Sequence, residues 1–154
     1  MKRTNLIFGT AAMALLASAV VLAQDKPVKM AELPAPVRRT VQQQLNQGAT
    51  LRGLSTDMEG GQREYEAELT VNGHHRDLAM DANGAITEAE DAIALRSLPA
   101  SAQSALRKQG RVLSVEEVTH NGAFVAYEAV VRRANGSKHE VRVDKAGHSV
   151  PDNG

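Results

Sequence analysis

Histidines and a run of carboxylates are the first places in this chain to look for chemistry. His74-His75-x-Asp77 is the densest grouping of metal-ligating residue types, His139-Glu140 sets a base beside an acid, and Glu88, Glu90 and Asp91 concentrate negative charge. Each is measured against the geometry its chemistry demands. A bound metal needs several ligands converging on one point. Adjacent residues of a strand point to opposite faces, so His74 and His75 do not share an ion if that segment is extended. His139-Glu140 lacks the second histidine four residues on that a metalloprotease helix requires, because position 143 is Val. Asp81-Ala82-Asn83-Gly84 with Glu88 and Glu90 resembles a calcium loop only faintly: the loop wants its glycine sixth and a glutamate twelfth, whereas glycine stands fourth and position 92 is Ala. No serine lies in a Gly-x-Ser-x-Gly setting, and the chain has no cysteine. The expectation is a protein that is not an enzyme, with no catalytic residue, no metal site and no cofactor.

The elements that must position these side chains begin after a leader. Lys2 and Arg3 form a short basic start, Leu6 to Ala23 carry no charge, and Val21-Leu22-Ala23 places small or aliphatic residues where a signal peptidase reads them. Residues 1–23 therefore read as a cleaved signal peptide, which implies a periplasmic or secreted protein with no stable membrane insertion after cleavage. The alternative is an uncleaved anchor, since the uncharged stretch approaches the roughly 20 residues a bilayer requires. Without cysteine the chain is neither a lipoprotein nor a disulfide scaffold. Removing Lys2 and Arg3 leaves 16 basic against 18 acidic residues, a balance that argues against nucleic acid as a partner. Two Phe, two Tyr and no Trp supply few stacking platforms.

Residues 24–32 read as a flexible polar lead-in. From Leu33 the chain can be laid over itself. Leu33-Pro34 returns as Leu98-Pro99, Tyr65-Glu66-Ala67 as Tyr127-Glu128-Ala129, Asn72-Gly73 as Asn135-Gly136, and Asp81 and Gly84 as Asp144 and Gly147, at shifts of 65, 62 and 63 residues. The spacing predicts an internal duplication, with one unit over 33–95, a second over 96–150 and a tail at 151–154. Val37, Val41 and Leu45, then Ala102, Ala105 and Leu106, mark the apolar sides of two helices. Tyr65, Ala67, Leu69 and Val71 alternate with polar residues, as do Val125, Tyr127, Ala129 and Val131 with Ala126, Glu128, Val130 and Arg132, predicting half-buried strands. Asn72-Gly73 is a strong hairpin signal, and Asn135-Gly136 is expected to turn the chain in the same way. The fold expected is α+β: two tandem helix-plus-antiparallel-strand repeats sharing one sheet, with the helices on one face.

The Leu-Pro-led helices, the Tyr-Glu-Ala strands and the hydrophobic strands ending in Asp-x-x-Gly resemble the PepSY family, and more closely its exported PepSY-like domains, whose fold is compared with a beta-lactamase-inhibitor protein. The resemblance spans residues 33–150. It implies an antiparallel sheet with helices on one face and a role outside the cytoplasm in binding or restraining other proteins. It supplies no catalytic residue to carry over.

What remains is a surface. With the helices over Tyr65, Leu69, Tyr127 and Val131, the other face of the sheet carries Glu66, Glu68, Thr70, Asp77, Glu128, Arg132, Glu140 and Arg142, the candidate binding residues. Mixed charge of this kind docks a protein by complementary charges. The functional expectation is a protein-binding or inhibitory module of the cell envelope, its partner an envelope or extracellular protein, peptidases included. The alternative is a periplasmic ion or small-ligand sensor that uses the histidines and the acidic run Glu88 to Asp91.

Overall fold

The computed structural model describes residues 26–59 and 61–151. Eight antiparallel strands form one sheet whose order follows the chain: β1 (Lys26–Pro27), β2 (Thr50–Glu59), β3 (Gln62–Val71), β4 (His74–Met80), β5 (Ile86–Ala92), β6 (Arg111–His120), β7 (Ala123–Arg132) and β8 (Lys138–Val143). Helix α1 (Ala35–Asn46) lies between β1 and β2, and α2 (Ala100–Gln109) between β5 and β6. The signal peptide read at 1–23 falls outside the described residues. In the segment read as a lead-in, Lys26 and Pro27 pair with Thr56 and Ser55, and Met30–Glu32 form one 3-10 turn.

The fold-class expectation is corrected. Among the described residues one continuous eight-stranded sheet dominates, accompanied by two α-helices of 12 and 10 residues, and two tandem helix-plus-strand repeats are not what the chain forms. Five strands precede α2 and three follow it. The physical reason lies in β5. The acidic run Glu88 to Asp91 lies in this central strand, paired with β4 from Arg76↔Asp91 to Met80↔Ile86 and with β6 from Glu88↔His120 to Ala92↔Glu116. The ladder thus runs unbroken through the point where two units were to meet.

Each helix starts on a proline whose missing N–H costs nothing there: Pro34 and Pro99 are the N-caps, and their carbonyls accept from Arg38 N at 2.9 Å and Gln103 N at 3.0 Å. Val37 and Val41 of α1 are buried with Leu33, Ala67, Leu69, Leu78 and Met80. Ala102 and Leu106 of α2 are buried with Leu98, Val115, Tyr127, Ala129, Val131 and Val143. Register places all these strand residues on one face, so both helices cover the same side of the sheet.

The Asp-x-x-Gly loops fasten the helices to the sheet. Asp81 Oδ1 accepts from the N–H groups of Asn83 and Ala85, both at 2.9 Å, and Asp144 Oδ1 from those of Ala146 and His148, both at 2.8 Å. Thr40 Oγ1 donates to the Gly84 carbonyl at 2.7 Å, and Ser101 Oγ to that of Lys145 at 2.7 Å. Gly84 sits at φ 77°, and a Cβ there would lie 2.7 Å from the backbone of Pro36. Only glycine admits that approach.

The turns differ in detail from expectation. Asn72-Gly73 has positive φ at both residues (51° and 82°), as a type I′ turn requires. Asn121-Gly122, at 49° and 77°, makes the same turn between β6 and β7. In the Asn135-Gly136 loop only the glycine is left-handed, and Arg133 N donates to Ser137 O, so that loop is of another type. Val125 was expected inside. A register break opposite Val118/Thr119 turns it outward and leaves it 36% exposed, while Ala126 is buried.

Candidate functional site

The face opposite the helices is assembled by cross-strand register. Glu66 stands opposite Ala79, Glu68 opposite Asp77 and Thr70 opposite His75; on the other side of the sheet Glu128 stands opposite Arg142, Val130 opposite Glu140 and Arg132 opposite Lys138. All eight candidate residues point to this one face. They form two groups, on β3–β4 and on β7–β8, with two strands between them.

Those intervening strands carry residues that the sequence alone does not place on this face. Glu90 lies directly opposite Asp77, and Glu116 directly opposite Glu128, so Glu68, Asp77 and Glu90 form one line of carboxylates across three strands. Neighbouring strands lie about 4.8 Å apart, which sets the spacing of that line. The available signal was alternation: Glu88 and Glu90 keep the period of two that a strand imposes. Carboxylate oxygens of Glu90, Glu116 and Glu128 lie within 4.8 Å of one another. Arg142 stands over this triad, hydrogen-bonded through Nε to Glu128 and 3.7 Å from Glu90 through Nη2.

The environment tunes these acids. Val118, opposite Glu90, and Ala126, opposite Val118, are buried on the same face, so this part of the sheet is partly withdrawn from water. Burial, followed by the charges of Glu128, Glu116 and Glu88 and opposed by Arg142, pushes Glu90 up to about 7. Asp77 is pushed up to about 6 by burial; His75 opposes this, and Glu68, Glu116 and Glu66 add to it. Asp77 Oδ1 is buried without a hydrogen bond and has His75 Nε2 at 3.4 Å. Glu66 accepts from Ser55 Oγ at 2.6 Å. His75 therefore faces the acids.

Charge is segregated along this face. The line of acids gives way at the turn end of hairpin β7–β8 to Arg111, Arg132 and Lys138, which are direct cross-strand neighbours on β6, β7 and β8 and are all exposed. On the opposite side of the molecule the helices carry Arg38, Arg39, Arg107 and Lys108 and no acid.

Three solved structures have a similar fold. One, from Bacteroides eggerthii DSM 20697, is titled among "putative periplasmic proteins"; it aligns with a TM-score of 0.61 at 16% identity, covering 77% of this chain and 86% of that one. Two DUF2874 family proteins align comparably. That of Bacteroides uniformis ATCC 8492 has a TM-score of 0.60 at 17% identity, covering 77% and 86%, and that of Bacteroides ovatus ATCC 8483 has 0.58 at 16%, covering 77% and 85%. No family model matches the chain, and no curated protein matches it. The likeness to PepSY domains is accordingly without support from family models, and these neighbours show the fold alone. Among the described residues no helix is long and apolar enough to cross a membrane.

Proposed function

We propose that this chain is an exported, non-enzymatic binding module of the cell envelope that docks a cationic segment of a partner protein on the carboxylate-lined face of its sheet. The observation that carries the reading is the unbroken line Glu68, Asp77, Glu90, joined to Glu116 and Glu128. Acids placed this closely raise one another's proton affinity, and a positively charged side chain relieves that repulsion on docking. The leader, and fold neighbours one of which is described as periplasmic, support export.

A cationic peptide probe such as an oligolysine tests the reading by titration calorimetry. Binding is expected to weaken by more than about tenfold when Glu68→Lys is combined with Asp77→Asn, and to weaken with salt, because exposed charges are screened beyond about 8 Å at physiological ionic strength. Equal affinity of the variant and the parent chain would remove the acidic face from consideration.

A second reading, a divalent-cation sensor, has one observation in its favour, the convergence of Glu90, Glu116 and Glu128. Against it, Arg142 already sets a guanidinium beside two of the three. Melting curves with and without calcium separate the two readings: the docking reading expects no shift, and the sensor reading expects a rise that Glu116→Gln abolishes.

A further inference from the structure

Arg111, Arg132 and Lys138 stand directly opposite one another on three adjacent strands. Like charges in that relation destabilise a sheet. No ion pair to an acid relieves them among the described residues. Nor does a sheet need like charge at such a row, because Thr50, Thr70 and His75, direct cross-strand neighbours on β2, β3 and β4, pair without it. The cationic row therefore carries a cost that the fold itself does not explain.

The same face supplies its complement. Glu68, Asp77 and Glu90 are also direct cross-strand neighbours on three adjacent strands, so three acids and three cations recur at the same strand spacing of about 4.8 Å. Within one molecule the two rows cannot meet, since they lie on one sheet and on different strands, β3–β5 and β6–β8. Two molecules can bring them together. We infer that the occupant of the acidic row is a second copy of this chain, which presents Arg111, Arg132 and Lys138 to Glu68, Asp77 and Glu90. The inference rests on the docking reading above and names the partner. A face that holds both halves of its own contact is self-complementary, and 16 basic against 18 acidic residues once Lys2 and Arg3 are removed bring little net repulsion to the encounter.

Sedimentation velocity of the chain across a concentration series, at about 50 mM and about 500 mM salt, tests this. Concentration-dependent association is expected at low salt, weaker by about tenfold or more at high salt. Arg132→Glu with Lys138→Glu is expected to sediment as a monomer, and so is Glu68→Lys with Asp77→Asn. Mixing the two variants is expected to restore a complex, because each retains the row the other has lost. Arg132→Thr with Lys138→His, which copies the residues of the β3–β4 row, guards against misfolding by reversed charge and is also expected to be monomeric. A parent chain that stays monomeric at low salt, or two variants that associate as the parent does, would overturn the inference. Oligolysine titrated in parallel separates the failures: a monomeric chain whose acidic row still binds the probe leaves the docking reading standing and refutes only the second copy as its partner.

Discussion

At the scale of single residues, the acids of this protein pull its pH response in two directions. Folding lifts Glu90 from an ordinary value of 4.5 to about 7, so the native state holds that proton more tightly than the unfolded chain does. Its contribution to stability is then complete below about pH 4.5 and disappears as pH rises to about 7. Asp81 and Asp144 behave oppositely. The N–H of Ala85, and that of His148, hold these carboxyls below the usual range, so their contribution is present above that range and is lost in acid. A thermal-melting series is expected to show maximal stability on the mildly acidic side of neutrality. In Glu90→Gln the decline between pH 5 and 8 is expected to shrink by about 1 kcal/mol, once solvent screening is allowed for. Arg142→Ala is expected to cost about 2–3 kcal/mol at pH 8 by leaving half-buried carboxylates uncompensated, and less at pH 5, where Glu90 is protonated; urea unfolding at the two pH values measures the difference. Gly84→Ala is expected to cost about 2–4 kcal/mol, because a left-handed φ and contact with Pro36 combine.

At the scale of elements, legibility followed how local each signal was. Asn72-Gly73 announces its turn because two adjacent residues accept positive φ, and Val37 and Val41 announce the buried side of α1 by their spacing. Asn121-Gly122 carries the same signal, and the hairpin β6–β7 can be read from it. The pairing of β5 is not a local property. Glu88, Glu90 and Asp91 are poor strand formers in isolation, and it is pairing on both sides that holds them extended. The sequence flags Glu90 as part of an acidic run, but its place in the middle of the acidic line depends on that pairing. The outward turn of Val125 is likewise non-local, because a bulge is created by two strands together. The helices are fastened by few bonds, which suits a further test. Removing the Thr40 hydroxyl by Thr40→Val is expected to cost about 1 kcal/mol, and hydrogen exchange is expected to quicken first in α1 and the Asp81 loop.

At the scale of the whole molecule, the helices bury two separate clusters of side chains, but a single ladder of backbone hydrogen bonds joins them through β5 and β6. Unfolding is therefore expected to be one cooperative transition, with coincident curves from far-ultraviolet circular dichroism and tyrosine fluorescence. A fragment of residues 26–93 is expected to remain unfolded, because β5 would become an unprotected edge and the molecule would lose the cluster around α2. Two resolved transitions, or a folded fragment, would show independent units, which the continuous sheet argues against.

The strand order has one more effect. Every strand lies beside its predecessor in the chain, so assembly asks for no long-distance search and no threading of one segment past another. Such a polypeptide can zip up progressively from its first hairpin while later residues are still arriving, which shortens the interval in which half-made edges stand open to aggregation.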